Sequence, residues 1–241
     1  MSLRDHIRAL FAHYPRQNWW PAQSRFEVIV GAVLVQNTAW VNVEKALANL
    51  RRAKVLNLQG IRAARLAHLE MLVRPAGFYR QKAARLKRFV TFLDERYGGS
   101  LPRMFRQNPE ILRAELLALN GIGPETADSI LLYAGGHPVF VVDAYTRRIF
   151  ERHRLSTARL PYDELRVVIE NEVQSLLPLM PAGVGIPRHP SSRASRIRLG
   201  DVAAAYNDLH AMIVRVGVDY CRTKPDCTNC PLQPFLQDHL S

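Results

Sequence analysis

The chain lacks what a membrane-spanning protein needs. No apolar run in its 241 residues approaches the ~20 that cross a bilayer, and the longest, VIVGAVLV, covers 28–35. The start, MSLRDHIRALF, reads as an amphipathic helix and has no continuous apolar segment of the secretory kind, so a cytoplasmic, nucleoid-associated location is expected. Cysteine is scarce. All three residues, Cys221, Cys227 and Cys230, fall in the C-terminal CRTKPDCTNC. An odd, clustered set without an export signal points to metal before disulfide. Strand patterning is almost missing too, since PVFVV at 138–142 is short enough to be a connector. Acidic residues are the minority charge. Asp and Glu number 21 against 33 Lys and Arg, giving a net charge of +12. That balance favours a polyanionic partner, nucleic acid first, with a basic solvated surface as the alternative.

What is present is helical spacing. Phe26, Ile29, Val30, Val33 and Leu34 form one apolar stripe. NTAWVNVEKALANL follows, with Thr38 or Asn37 as its N-cap. QKAARLKRFVTFLDERYG reads as an amphipathic helix closed by glycine. NPEILRAELLAL, PETADSILLYA, VVDAYTRRIFERH and YDELRVVIENEVQSLL continue the pattern, so the expected fold is all-α with eight to ten helices. Residues 181–200, PAGVGIPRHPSSRASRIRLG, differ in composition and read as a basic loop insertion, able to touch phosphate or to be a tolerated surface segment.

LNGIGPETAD carries a specific logic. Gly121 and Gly123 bracket Ile122, and glycine permits positive φ and close approach of a ligand to the backbone. Pro124 suits a first helical turn, whose exposed N–H groups bind phosphate. Between two amphipathic helices this is a helix-hairpin-helix, gripping DNA without reading its sequence; an ordinary glycine-containing connection is the alternative. Asp143 is equally open at this level. It precedes AYTRRIFER, so it can cap a helix. It can also stabilise an oxocarbenium-like sugar or activate a water.

LNGIGPETADSILLYAGGHPVFVVDAY resembles the helix-hairpin-helix, Gly/Pro loop and aspartate signature of the endonuclease III superfamily of DNA glycosylases. NWWPAQSRFEVIVGAVLVQNTAW with VRPAGFYRQKAARLKRF is similar, within it, to the 3-methyladenine DNA glycosylases of the Mag III type. The resemblance implies two helical domains with the active-site cleft between them. One is a helical barrel over 23–137 with the hairpin at about 112–133, and the other joins 1–22 to 138–241. It implies a probe of double-stranded DNA, acting as a monomer, that flips a damaged base, most readily an alkylated purine, and hydrolyses its N-glycosidic bond.

Residue by residue, the resemblance makes Asp143 catalytic and places Trp20, Trp40, Trp19 and Glu125 at the base pocket. Cationic alkylated purines suit aromatic faces beside a carboxylate. Gln36 would fill the gap left by the flipped nucleotide, with Asn37, Gly121, Gly123, Thr126 and Lys82 on the DNA. Arg80, Arg85, Lys87 and Arg88 share the helix of Lys82 and are expected at phosphates. Nicking members of the superfamily carry a Schiff-base lysine where this chain has Glu125, which implies a water-using enzyme without lyase activity. Many members also hold a [4Fe–4S] cluster through four C-terminal cysteines. Here Cys221, Cys227 and Cys230 remain, the fourth position is Leu236, and His239 is another candidate donor; the alternative is a lost cluster with remnant cysteines, since the Mag III type lacks one. The competing readings are a glycosylase for oxidised or mismatched bases, an endonuclease III-like lyase, and a non-catalytic DNA-binding relative.

Overall fold

The computed structural model describes residues 2–15, 17, 20, 22–179 and 200–236. Trp19, His239 and the basic segment up to residue 199 lie outside them. Every element of the described residues is helical. Ser2 opens α1 (Leu3–His13) through a reciprocal cap with Asp5. There follow α2 (Arg25–Leu34), α3 (Trp40–Arg52), α4 (Leu58–Ala63), α5 (Leu66–Val73), α6 (Tyr79–Tyr97), α7 (Leu101–Met104), α8 (Pro109–Leu117) and α9 (Pro124–Ser129). After a π-helical turn, Ile130–Gly135, come α10 (Ala144–Arg152), α11 (Tyr162–Leu176) and α12 (Asp201–Asp219). Twelve α-helices exceed the expected eight to ten because α4, α5 and α7 run only 6, 8 and 4 residues, too short to show a period.

The described chain divides into two compact units. Residues 20–137 form one; 2–17, 138–179 and 200–236 form the other. In the first, α2 is the central rod. Val28, Ile29, Val30, Val33 and Leu34 are fully buried, and nine of its ten residues are buried. The expected single stripe is therefore an all-round apolar helix, packed by α3, α6, α9 and the π turn. Its one acid, Glu27, is buried and accepts from Arg51 at 2.6 Å and from Gln23 N at 3.2 Å. α6 ends as its glycine predicts: Gly98 adopts φ +61° and its N–H bonds Asp94 O and Leu93 O. The expected cap of α3 is corrected. Ala39 occupies the N-cap, Asn37 turns at φ +53°, and the Thr38 hydroxyl accepts from Asn42 Nδ2.

In the second unit α1, α10 and α11 pack on α12, of whose residues twelve are buried. PVFVV is a buried extended connector with no ladder. Its N–H groups find side chains instead: Phe140 N donates to Glu170 Oε1 at 2.8 Å and Val142 N to the Tyr162 hydroxyl at 3.3 Å. Its end is set by α10 meeting α12 at Gly217. A Cβ there would lie 2.2 Å from Tyr145 Cδ1, so only glycine lets the Tyr145 ring into contact. Arg148 covers the other side of that ring at 4.9 Å and donates to Gly217 O at 3.1 Å.

Gly217→Ala is expected to destabilise the protein by about 1–3 kcal/mol in urea unfolding, through overpacking. Combining it with Tyr145→Ala should cost less than the sum of the single changes, the sign of a direct contact.

Candidate functional site

The hairpin of the first unit is α8, a tight turn and α9. Arg113 on α8 and Asp128 on α9 fasten it, Nε to Oδ1 at 2.6 Å and Nη2 to Oδ2 at 3.1 Å, with the Asp128 carboxylate fully buried. Ile122 plugs the turn from inside. The two glycines differ. Gly121 stands at φ +91°, and a Cβ on it would lie 2.1 Å from Arg85 Nε. Gly123 is extended at φ −91°, exposed, and has open space where a Cβ would go. Folding therefore requires glycine at 121 but not at 123. Thr126 is buried, while Glu125 is exposed in the first turn of α9.

Gln36, in the turn after α2, is tied to this hairpin. Its Nε2 donates to Gly121 O at 3.0 Å and to the Thr126 hydroxyl at 2.8 Å, and Arg85 donates to its Oε1. Asn37 is the exposed tip of the same turn. The basic helix α6 is largely turned to its own chain. Lys87 donates to Arg62 O at 2.9 Å and Arg88 to Asn120 O at 2.7 Å. Lys82 corrects its expectation outright. It is fully buried and donates to Leu34 O at 2.9 Å and Ala76 O at 2.6 Å, and burial lowers its ammonium to about 8. Its four-carbon stem reaches inward to two helix-end carbonyls that would otherwise be unsatisfied, so it joins loops and does not face a phosphate.

Trp20 and Trp40 do meet, edge to face at 5.5 Å. A third ring, Tyr133, lies 4.8 Å from Trp20. Trp20 is buried at φ +88°, and Gly31 of α2 makes room for its indole, 3.3 Å from the place a Cβ would take. Trp40 is partly open and donates Nε1–H to Glu44 at 3.1 Å. Tyr133 escaped the sequence reading because its place, the π turn, interrupts helical periodicity; such turns recur at functional sites. Phe78 escaped it as well. It is 62% exposed at φ +45°, next to Gly77 at φ +67°. An aromatic residue held exposed in a left-handed conformation is a strained feature that sequence signals only by the Gly-Phe pair.

The second unit carries Asp143, which caps α10. Oδ1 accepts from Thr146 N at 2.7 Å and from the Thr146 hydroxyl at 2.8 Å. Oδ2 is left out of the cap and lies 3.5 Å from His210 Nε2 on α12. Burial pushes the carboxyl up, but His210 and Thr146 together outweigh it, so Asp143 stays below its ordinary value and ionised. The cap uses Oδ1 alone and leaves Oδ2 outside it.

Cys221, Cys227 and Cys230 line one hollow of the same unit, with Leu236, Val216 and Tyr220. Burial raises the Cys227 and Cys230 thiols. Arg152 donates to Cys221 Sγ at 3.1 Å and to Arg222 O at 2.6 Å, tying α10 to the cysteine loop. Three thiols are the donor type that an iron–sulfur cubane takes, and Leu236, which cannot ligate, shares their hollow. His153 also lines it, but its Nδ1 already faces His6 Nε2 at 3.1 Å. Among the described residues no three His, Cys, Asp or Glu side chains converge closely enough to share a single metal ion.

Comparison with known proteins matches this arrangement. A Methanocaldococcus jannaschii protein, assigned by name to the DNA repair glycosylases, is 40% identical over 230 residues, 95% of this chain and 92% of its own. Endonuclease III of Thermotoga maritima is 30% identical over 176 residues, 73% of this chain and 75% of its own. The solved 3-methyladenine DNA glycosylase (MagIII) of H. pylori, bound to 1,N6-ethenoadenine, is 30% identical with a TM-score of 0.72, covering 90% of this chain and 98% of that one. Among the described residues no helix is long and apolar enough to cross a membrane. Residues 30–175 match the HhH-GPD superfamily base excision DNA repair proteins, and the chain belongs to that family.

Proposed function

We propose that the protein is a monofunctional DNA glycosylase that removes an alkylated purine by hydrolysis and leaves the strand intact. The observation that carries the reading is Asp143: nearly buried, ionised, capped through Oδ1 and with Oδ2 outside the cap. A fixed anion in a dry site is what a developing oxocarbenium sugar needs, either as direct stabilisation or as a base toward water. Neutralising such a charge elsewhere would be costly, and here the helix N-terminus and His210 hold it ready.

The binding side is supported separately. The exposed Gly123 and the start of α9 offer N–H groups without a side chain in the way. The Trp20, Trp40 and Tyr133 rings offer π faces, which favour a base carrying positive charge. The H. pylori relative is named for 3-methyladenine, an alkylated purine, and is bound to 1,N6-ethenoadenine. Phe78, exposed and strained, is the apolar side chain available to a base stack. Glu125 replaces an amine, so no imine forms there. Three cysteines around one hollow support an iron–sulfur group whose contribution is to fix the C-terminal loop.

Asp143→Asn keeps a good N-cap and is expected to leave stability within about 0.5 kcal/mol. Base release from methylated duplex should fall at least about a hundredfold. Wild-type products should break only after alkali. Nicking without alkali contradicts the Glu125 argument, and no release from any lesion favours a binding module.

The two glycines separate folding from binding. Gly121→Ala should destabilise by about 1–3 kcal/mol, through φ and the Arg85 clash. Gly123→Ala should melt like wild type yet bind duplex DNA more weakly. Equal affinity for Gly123→Ala would remove this turn from the interface.

Protein purified without oxygen is expected to contain iron and to absorb broadly in the visible, and to lose both in Cys227→Ser. Colourless, iron-free wild-type protein would end the iron–sulfur reading.

A further inference from the structure

Asp143 has two oxygens and only one is explained by the fold. Oδ1 belongs to the α10 cap. Oδ2 faces the His210 ring at 3.5 Å, both side chains nearly buried, with 11% and 7% exposure. That separation is ion-pair range and longer than a relaxed hydrogen bond; such contacts in unliganded sites are often long. The ring is also braced. Phe140, at the start of the extended connector, meets it edge-on at 6.2 Å. Tyr145 seated against Gly217 keeps α10 close to α12, so the histidine and the carboxylate are presented to each other by a glycine-dependent helix contact.

From this geometry we propose that His210 is a positioning residue for Asp143, holding Oδ2 and keeping the carboxylate charged at the moment the glycosidic bond breaks. The proposal rests on the glycosylase reading and adds to it the group that governs its catalytic carboxylate. His210 touches no reacting atom in this role; it acts through Asp143. The ionisable groups of α10 and α11 nearest the connector are engaged elsewhere. Glu170 and Tyr162 of α11 accept from Phe140 N and Val142 N, and Arg147 of α10 donates to Ala158 O and Leu160 O. Of the contacts of Asp143, His210 lowers its carboxyl most, and Thr146 adds hydrogen bonds.

The sign of the effect follows. A carboxylate held below its ordinary value works while ionised and fails as pH falls through that lowered value. Removing His210 should move the acid limb of base release to higher pH. His210→Leu is expected to slow single-turnover release by about tenfold at neutral pH, with duplex affinity unchanged. His210→Gln, which keeps a donor near the same place, should recover part of the rate. A second measurement needs no catalysis. The Asp143 carboxyl carbon, identified by its loss in Asp143→Asn, is followed by NMR through an acid titration. Its midpoint should move upward in His210→Leu. An unmoved midpoint and an unmoved acid limb overturn the proposal, as does a wild-type rate in His210→Leu at every pH. A moved midpoint in a protein that releases no base supports the His210–Asp143 pair and removes the glycosylase reading instead.

Discussion

The proposed chemistry depends on how one carboxylate, that of Asp143, is divided. Asp143 must cap a helix, because the N–H of Thr146 needs an acceptor at the start of α10. It must also remain an anion inside the protein, where charge is expensive. The fold satisfies both by giving each oxygen a separate task. Oδ1 closes the helix, and Oδ2 faces His210 Nε2 at 3.5 Å. The cap contributes hydrogen bonds that favour the charged form, so the structural role supports the chemical one.

The hairpin shows a similar economy of parts. Arg113 and Asp128 lock its two helices, and Gln36 links the turn after α2 to it through Gly121 and Thr126. Arg85 completes that link and lies in the space a side chain at 121 would take, where φ +91° already favours glycine. Several cations of α6 are thereby spent on the chain's own carbonyls. The excess positive charge of the sequence is real, but proximity in sequence does not tell a phosphate ligand from an internal brace. Lys82 is the clearest case, a lysine on a helix of basic residues that points wholly inward.

Much of the fold was legible because helices announce themselves by period and caps. The glycine ending α6, the proline opening α9 and the aspartate opening α10 all stand where local chemistry puts them. What failed to show were short or irregular elements. α4 and α7 are too brief for a period, and the π turn shifts Tyr133 out of helical register. The α3 cap was misread because Asn37 and Thr38 are used by the turn.

Sequence alone determined the all-helical class, the glycine–proline hairpin, the place of Asp143 at a helix start and the carboxylate, Glu125, in the first helical turn after the hairpin glycines. These are local facts, set by propensity, capping and residue identity. Tertiary structure decided what each group faces. It sent Lys82 inward, gathered Trp20, Trp40 and Tyr133, brought three cysteines and Leu236 to one hollow, and set His210 against Asp143 across 67 residues of sequence, 210 minus 143. Such pairings depend on which helices pack and how closely. Here that closeness rests on Gly217, whose missing side chain gives no sign in the sequence of the tyrosine that fills its place.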